Sequence, residues 1–224
     1  MMLAIIPARG GSKRFPRKNI IPFGGRPLIA WSVACALRFP QVRCVVSTDD
    51  HEIAAAAQDA GAAVVDRPKS LAQDDSGMTG VIRHALKVCE RDGSDFDGVM
   101  LLQPTNPLRP LELVGAAIAR FREEPCDSLI TASRRQLKFG NVSSGRFYPS
   151  YRPDTPSQAT PSVWFENGLL YLFKTSTLKA GDLYGERILA METERPFDDV
   201  DIDEPVDLAI GEAILTAIRD RIDY

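Results

Sequence analysis

Short apolar runs alternate with segments of helical periodicity along the first half of the chain. Each apolar run has the length of one buried strand, and the segments between them repeat apolar residues every three or four positions. Such alternation predicts a parallel sheet covered by helices on both faces. The expected strands are 3–8, 43–47, 63–65, 99–102 and 128–131, and the expected helices are 27–39, 52–60, 81–91 and 112–123.

Composition limits the class of protein. With 224 residues, of which 44% are hydrophobic, the chain has the size and apolar content of a single α/β domain over residues 1–224. Its net charge of −3 is unlike that of a general nucleic-acid binder. No apolar run reaches membrane-spanning length, and the four cysteines are far apart, as is typical of reduced, buried thiols. We therefore expect a cytoplasmic protein without a nucleic-acid or membrane partner.

A loop with two adjacent glycines and five cations follows the first expected strand. It spans Arg9 to Asn19 and contains Gly10-Gly11. Glycines allow several backbone N–H groups to face one anion, while arginine and lysine supply positive charge. Ligands of open α/β sheets bind beyond the carboxyl ends of the strands, where this loop begins. The loop therefore predicts a phosphate site, and the alternative is a solvated basic loop.

The spacing within this loop excludes two common phosphate motifs. A Walker loop ends in Gly-Lys-Ser/Thr, and a dinucleotide fingerprint needs Gly-x-Gly-x-x-Gly; neither is present. We expect a nucleoside triphosphate that is held mainly by side-chain charge. A second polar position is Gln103, at the end of the strand 99–102, where a side chain can contact a ligand; the alternative for residues 103–110 is a stiff, proline-rich connection.

An acidic segment near the C-terminus suggests a metal site. In an extended segment alternate side chains share a face, so Asp199, Asp201 and Asp203 are expected to point the same way. Carboxylates so grouped need a cation, and Mg²⁺ is the natural one beside a polyphosphate. The alternative is that Asp203 caps the last helix, with Pro205 in its first turn.

The segment 134–165 interrupts the alternation. It shows no helical period and carries aromatic residues among proline, serine and glycine. An irregular stretch of this length is usually functional or interfacial, and exposed aromatic residues are typical of subunit contacts. We therefore expect 134–165 to form an irregular arm that joins two copies of the chain into a homodimer.

Several of these segments resemble a known family. Residues 6–13 (IPARGGSK), with Lys18 and Asn19, are similar to the opening signature of the acylneuraminate cytidylyltransferases, or CMP-sialic acid synthetases. These enzymes join CTP to a nine-carbon 2-keto acid sugar. Further similar segments, in family order, are 46–49 (VSTD), 67–68 (RP), 71–74 (LAQD), 102–105 (LQPT), 107–109 (PLR), 167–168 (NG) and 201–203 (DID).

The resemblance implies a three-layer, Rossmann-like nucleotidyltransferase fold with a mostly parallel sheet and an inserted dimerisation arm. It implies CTP and an acidic sugar as substrates, Mg²⁺ as cofactor, and catalysis by Arg9, Lys18, Asp201 and Asp203. The implied nucleotide-binding residues are Arg9, Gly10, Gly11, Ser12, Lys18, Asn19, Arg67, Ser76 and Thr79. The implied acceptor-binding residues are Gln103 and Asn167, and the implied metal ligands are Asp201 and Asp203.

The identity of the acceptor is less closely defined. Many family members carry arginine where this chain has Ser157, so other cations are expected to bind the acceptor's carboxylate. The candidates are Arg134, Arg135, Lys138 and Arg152. We expect sialic acid or a bacterial relative such as legionaminate. The alternatives are an eight-carbon, Kdo-type acid, which the GGSK and DID segments fit less well, and a non-catalytic nucleotide sensor, which could dispense with Asp201 and Asp203.

Overall fold

A computed structural model describes all residues from 1 to 224. The strands are β1 (Met2–Pro7), β2 (Pro22–Phe23), β3 (Arg26–Pro27), β4 (Val42–Thr48), β5 (Ala63–Asp66), β6 (Gly98–Leu101), β7 (Ser128–Gln136), β8 (Gly140–Ser143), β9 (Arg146–Pro149), β10 (Ser162–Lys174) and β11 (Ile188–Glu192). The helices are α1 (Leu28–Leu37), α2 (His51–Asp59), α3 (Met78–Cys89), α4 (Leu111–Glu123), α5 (Thr175–Ala180) and α6 (Pro205–Ala217).

Seven strands form one sheet in the order β11-β7-β10-β6-β1-β4-β5. The pairs β1–β4, β1–β6, β4–β5 and β7–β11 are parallel, and only β10 runs antiparallel to its two neighbours. The predicted mostly parallel, Rossmann-like α/β fold is therefore confirmed. Because β10 is antiparallel, its first half extends past the carboxyl end of β6, so it reaches the edge where β1, β4 and β6 end.

Helices cover both faces of the sheet, which gives three layers. One face buries apolar residues of α1, α2 and α4, among them Ile29, Ile53 and Val114. The other face buries residues of α3 and α5, among them Ile82 and Leu178. Both faces of β1 are covered, which explains why its sequence is a continuous apolar run.

Side-chain capping fixes where α2 and α6 begin. The Asp50 carboxylate caps α2 by accepting hydrogen bonds from the backbone N–H groups of Glu52 and Ile53 at 2.9 and 3.0 Å. Helix α6 begins with a capping box made by Glu204 and Asp207. Asp203 is therefore not the cap of the last helix, and its carboxylate is available for other contacts.

Helix α3 begins at Met78, three residues earlier than the sequence predicted. The glycines and polar residues of 72–80 favoured a loop, but Gly80 lies in the first turn of the helix. A Cβ atom at Gly80 would lie 3.3 Å from Leu71 Cδ2. The glycine therefore reflects a close approach of the preceding turn to the helix, and Met78 and Thr79 are helical.

The segment 134–165 is only partly irregular, because much of it forms strands. Pairing of β7 with β10 continues out to Gln136 and Ser162, and β8 and β9 form a hairpin beyond it. The hairpin turn is Ser144-Gly145, with φ of 48° and 73°, the left-handed conformation of a two-residue hairpin. The strands β8 and β9 expose both of their faces, so their sequences lack the alternation that marks a half-buried strand. No helix in the chain has both the length and the apolar character needed to cross a membrane.

Candidate active site

A cleft of about 270 Å³ lies at the carboxyl ends of β1, β4 and β6. Its position is the one that open α/β sheets use for ligands. Most of its lining residues come from the loop after β1 and from the connections that follow β5 and β6. Of the predicted site residues, Arg9, Lys18, Asn19, Arg67, Ser76 and Gln103 line this cleft.

Two carboxylates hold four of the five loop cations. The ion pairs are Arg9–Asp74 (Nη2 to Oδ1, 2.8 Å), Lys13–Asp74 (Nζ to Oδ2, 2.5 Å), Arg14–Asp203 (Nη2 to Oδ2, 2.7 Å) and Lys18–Asp203 (Nζ to Oδ1, 2.6 Å). The fifth cation, Arg17, pairs with Glu52 at the start of α2. A bound phosphate could replace Asp74 and Asp203 as the partner of these cations, because the pairs lie at a partly exposed surface.

Asp74 belongs to the site, although the sequence did not single it out. It follows the cleft-lining segment that contains Leu71 and Gln73, and its carboxylate holds the side chains of Arg9 and Lys13. Hydrogen bonds from Lys13 and Arg9 hold the pKa of Asp74 below its usual range. No local pattern in the sequence links residue 74 to residue 9, so only the fold could reveal this pairing.

The glycine pair of the loop has a different role from the one expected. The Gly10 N–H donates to Asp49 Oδ1 at 3.1 Å and is therefore already satisfied within the chain. A Cβ atom at this position would lie 2.6 Å from Asp50 Oδ2, so Gly10 is needed for the close approach of the α2 N-terminus. Gly11 has open space around its Cα. Neither glycine lines the cleft, and the same is true of Ser12.

Buried polar side chains fix the walls of the cleft. Arg67 donates from Nε to Ser47 Oγ at 3.2 Å and from Nη2 to the Ser47 carbonyl at 2.5 Å. Burial lowers the pKa of Arg67 to about 10, which still leaves the guanidinium charged at neutral pH. Asn19 Nδ2 donates to the Arg9 carbonyl at 3.0 Å and so holds the loop against the sheet. Arg67 and Asn19 therefore line the cleft and also make hydrogen bonds that hold its walls in place.

Of the two nucleotide-binding residues predicted near the start of α3, only one lines the cleft. Ser76 lines the cleft, and its hydroxyl also holds the turn by donating to the Ser70 carbonyl at 3.2 Å. Thr79 does not line the cleft, because the helical turn that begins at Met78 directs Met78 and Val81 toward it instead. The prediction that Thr79 contacts the nucleotide therefore lacks support from its position.

The acidic segment does not present three carboxylates on one face. Asp199 lies in a short 3₁₀ turn and pairs with Arg135 and Arg195 at 3.2 and 2.7 Å. Asp201 and Asp203 remain close to the cleft through Thr105 and Lys18. The expectation of an alternating extended strand failed because the 3₁₀ turn interrupts it. The chain contains no group of three or more His, Cys, Asp or Glu side chains that could hold a metal ion.

The two remaining carboxylates differ in their electrostatics. Partial burial raises the pKa of Asp201, and the charge of Asp203 adds to this, while a hydrogen bond accepted from the Thr105 hydroxyl and the charge of Lys18 oppose it. Partial burial also acts to raise the pKa of Asp203, but the contacts with Lys18 and Arg14 outweigh it and the net pKa is lowered. Asp201 has no ion-pair partner in the chain, so it is the carboxylate that still lacks a cation.

Gln103 and Asn167, both predicted to bind the acceptor, occupy different environments. The Gln103 side chain lines the cleft and makes no hydrogen bond within the chain. The Asn167 amide makes a full set of hydrogen bonds inside the protein. It donates to Ser133 Oγ and Thr193 Oγ1 at 3.0 and 2.6 Å, and it accepts from Thr131 Oγ1 and the Leu169 N–H at 2.8 and 3.1 Å.

Asn167 therefore has a structural role, and its contact with the acceptor stays a prediction. Its position coincides with a register shift in β10 between Glu166 and Tyr171. Gly168 there has a φ of 76°, and a Cβ atom on it would lie 2.7 Å from Asn106 Oδ1. The Asn-Gly pair thus builds a bulge whose backbone polar groups need internal partners.

A buried arginine beside the cleft was missed as a structural centre. The Arg109 side chain is fully buried without a carboxylate partner. It donates from Nε to the Leu169 carbonyl at 2.5 Å, from Nη1 to Ser32 Oγ at 3.0 Å and from Nη2 to the Gln103 carbonyl at 2.7 Å. Arg109 therefore ties the end of β6 to β10 and α1, and it fixes the backbone from which the Gln103 side chain extends.

The fold, the cleft and the loop cations together define an α/β protein with a site suited to phosphate groups, and comparison with known proteins supplies the family. The sequence model of a family described as cytidylyltransferase matches residues 3–145. The chain therefore belongs to the cytidylyltransferase family. CMP-N,N'-diacetyllegionaminic acid synthase of Legionella pneumophila is 31% identical over 232 residues, with 96% of each chain covered.

One further relative is matched over only part of its length, and one solved structure shows similarity of fold alone. Pseudaminic acid cytidylyltransferase of Campylobacter jejuni is 40% identical over 135 residues, and the match spans 58% of this chain but only 57% of that protein. A CTP complex of CMP:2-keto-3-deoxy-manno-octonic acid synthetase has a similar fold, with a TM-score of 0.70, 18% identity, and coverage of 96% of this chain and 98% of that one. The family and fold predictions are thus confirmed.

Proposed function

We propose that this protein transfers CMP from CTP to a nine-carbon 2-keto acid sugar and releases pyrophosphate. The observation that carries the proposal is the cleft itself, in which Arg9, Lys18, Arg67 and Gln103 converge beside two aspartates. Relatives whose names specify legionaminic and pseudaminic acids support this class of acceptor. The structural similarity to an octonic acid synthetase, at 18% identity, supports the fold and not the eight-carbon alternative.

The cations of the cleft would act on the leaving group. In the reaction, the anomeric hydroxyl of the sugar forms a bond to the α-phosphorus, the bond from this phosphorus to pyrophosphate breaks, and the hydroxyl proton is released. Negative charge then grows on pyrophosphate, and Arg9 and Lys18 would stabilise it. Because Lys18 is bound to Asp203 through a single 2.6 Å contact, its ammonium group retains further donors for phosphate oxygens.

Asp201 and Asp203 would hold Mg²⁺ together with the phosphates of CTP. A site made of two carboxylates fits Mg²⁺, because this ion usually binds one or two protein carboxylates and completes its shell with water and phosphate oxygens. Asp201 has no cationic partner and its pKa is raised beside Asp203, which is the situation that a divalent ion would relieve. When bound, the ion would neutralise charge on the phosphoryl oxygens.

Asp201→Asn tests the metal assignment. The amide keeps the size of the side chain but removes its negative charge, so kcat should fall at least about 10²-fold and the Mg²⁺ concentration for half-maximal rate should rise. Direct Mg²⁺ binding to the CTP complex, measured by calorimetry, should weaken in parallel. A folded variant with a normal rate and a normal Mg²⁺ requirement would exclude Asp201 as a ligand.

The acceptor would lie beyond the end of β6, against the first half of β10. On the sheet face that carries α3, this region presents Trp164 and Glu166, with Arg134 opposite Trp164 at 5.9 Å from the ring centre. Arg134 has no ion-pair partner and is thus suited to the acceptor's carboxylate. Of the cations first considered, Arg135 is unsuitable, because its guanidinium is bound to Asp198 and Asp199.

The experiment that tests the proposed reaction is a matrix of substrates. Pyrophosphate release would be measured with CTP, UTP, ATP and GTP against N-acetylneuraminate, legionaminate, pseudaminate and the eight-carbon keto-deoxy acid. We expect turnover with CTP and with at least one nine-carbon acid. A preference for the eight-carbon acid would favour the Kdo-type alternative. Tight CTP binding without turnover of any acid would favour the non-catalytic sensor.

The active form would be a cytoplasmic homodimer. The segment 137–165 exposes a cluster of large apolar side chains that a monomer would leave in water: Leu137, Phe139, Val142, Phe147, Tyr148, Trp164 and Phe165. Such a surface is typical of a protein interface. All four cysteines are free and buried, which supports a reducing compartment. Sedimentation at micromolar concentration should give a dimer, and a monomer there would contradict the assignment.

A further inference from the structure

A second cavity lies on the α3 face of the sheet and shares no lining residue with the nucleotide cleft. It has a volume of about 460 Å³ and lies between α3 and α5. This volume is in the range of small-molecule sites. The residues that carry its chemistry are Arg83, His84 and Lys87 of α3, Lys179 of α5, and Glu90 just after α3. We call this cavity the α3–α5 groove.

The α3–α5 groove carries an excess of positive charge. Arg83 and Lys87 are four residues apart, so they are neighbours on one face of α3, and like charges at this spacing repel each other. Neither has a carboxylate partner within the chain, since the only ion pair of the groove joins Lys179 Nζ to Glu90 Oε1 at 2.8 Å. Three cations therefore face the groove with a single carboxylate among them.

A buried polar atom without a partner belongs to the same groove. The Nδ1 atom of His84 is buried and has no hydrogen-bond partner. Burial lowers the pKa of His84, and the charges of Arg91 and Arg67 lower it further, so the ring is neutral at neutral pH. A neutral imidazole donates through one ring nitrogen and accepts through the other, and a buried nitrogen without a partner is unfavourable. His84 lines the groove, so its ring reports on what binds there, although Nδ1 itself has no surface open to the groove.

We propose that the α3–α5 groove binds a small molecule bearing phosphate groups, at a site separate from the nucleotide cleft. Phosphate fits better than carboxylate because it offers three terminal oxygens, which can be shared among the Arg83 fork and the two lysine ammonium groups. The Arg83 guanidinium reaches toward α5, since its Nη1 would lie 3.8 Å from a Cβ atom on Gly181, the residue that follows this helix. The proposal is independent of the acceptor sugar.

The test follows the imidazole resonances of His84 by NMR during titration with inorganic tripolyphosphate at about 0.15 M ionic strength, where the screening length is about 8 Å. The chain has only two histidines, and His51, which is outside the groove, is an internal reference. We expect a saturable shift of His84. The double variant Arg83→Gln/Lys87→Gln should raise the midpoint of this shift at least about tenfold, because two charged contacts are lost.

A charge-matched control separates a built site from a diffuse field. Arg146→Gln/Arg219→Gln removes the same charge from two exposed residues that do not line the groove, and it should leave the midpoint unchanged. The site would be overturned if both double variants raised the midpoint of the His84 shift equally. It would also be overturned if replacing Arg83 and Lys87 left this midpoint unchanged. Citrate serves as the carboxylate probe, and tighter binding of citrate than of tripolyphosphate would overturn the assignment to phosphate. Circular dichroism confirms that the variants are folded.

Discussion

Two polar networks lie side by side at the carboxyl edge of the sheet, and they differ in where their hydrogen bonds end. In the inner network, Arg109, Asn106 and Asn167 are bound to backbone carbonyls and hydroxyls inside the protein. In the outer network, Arg9 and Lys18 are bound to the partly exposed carboxylates of Asp74 and Asp203. Both contain the residue types that sequence patterns associate with ligand binding.

The difference shows which residues can change partners. A carboxylate at a partly exposed surface can be released to water or to a metal ion, so its cation becomes available to a phosphate. A carbonyl in the interior has no alternative donor, and removing its partner leaves a buried polar group unsatisfied. The inner network therefore holds the architecture, and the outer network is the part suited to the phosphates of the proposed nucleotide. Four groups of substitutions test this division, from the largest expected free-energy effect to the smallest.

Arg109→Met should have the largest effect, and the effect should be on stability. The substitution keeps an unbranched side chain but leaves three buried acceptors without their donor, which costs about 3 kcal/mol or more. For a chain of this size, the corresponding decrease in Tm is about 6–12 °C. Thermal and chemical denaturation measure it. A variant as stable as the wild type would show that the inner network is dispensable.

Lys18→Met should have an effect of similar size on catalysis and little effect on stability. Loss of one cation that is proposed to stabilise the leaving pyrophosphate should lower kcat/KM by about 10²-fold, or about 2.7 kcal/mol. Arg9→Met is expected to behave in the same way, whereas Tm should stay close to that of the wild type in both. If the main loss were in Tm, Lys18 would belong with Arg109 instead.

Alanine substitutions of the two amide side chains, made separately, come next in size of effect. Asn167→Ala removes a side chain with four internal hydrogen bonds and should destabilise the fold by about 2 kcal/mol. Gln103→Ala removes an amide without internal partners, so the free energy of unfolding should stay the same while KM for the acceptor rises. The comparison fails if Gln103→Ala unfolds the protein or if Asn167→Ala alters only KM.

These pairs also show how much the sequence could predict. The strands and the ligand edge were predictable because apolar periodicity and the position of the Gly10 loop are local signals. The internal role of Asn167 was not, because its four partners lie on β7, on β10 and beyond β11, up to 36 residues away in the chain. In the sequence, the Asn-Gly pair at 167–168 and Gln103 at a strand end are equally good candidates for ligand binding. Only the fold shows that Asn167 has internal hydrogen-bond partners and that the Gln103 side chain has none.

The same limit explains the acidic segment and the arm. The alternation of the acidic segment predicted that Asp199 and Asp201 share a face. Asp199 instead lies in a 3₁₀ turn, where it pairs with Arg195, four residues before it, and with Arg135, which is far away in the sequence. In the arm, the Ser144-Gly145 turn was a visible local signal for a hairpin, yet the flanking strands expose both faces and therefore lack apolar alternation. A strand without a buried face carries little periodic information.

The smallest effect is expected at Arg17, the loop cation that belongs to neither network. Its guanidinium pairs with Glu52 at an exposed surface, so water can replace either partner. Arg17→Gln should therefore leave Tm within error, with kcat/KM within about twofold of the wild type. Arg14→Gln is the informative companion, because Arg14 shares Asp203 with Lys18 and should lower kcat/KM more than Arg17→Gln does. Equal losses for Arg14, Arg17 and Lys18 in steady-state assays would mean that the loop acts as a diffuse positive field, and the distinction drawn from Asp74 and Asp203 would not hold.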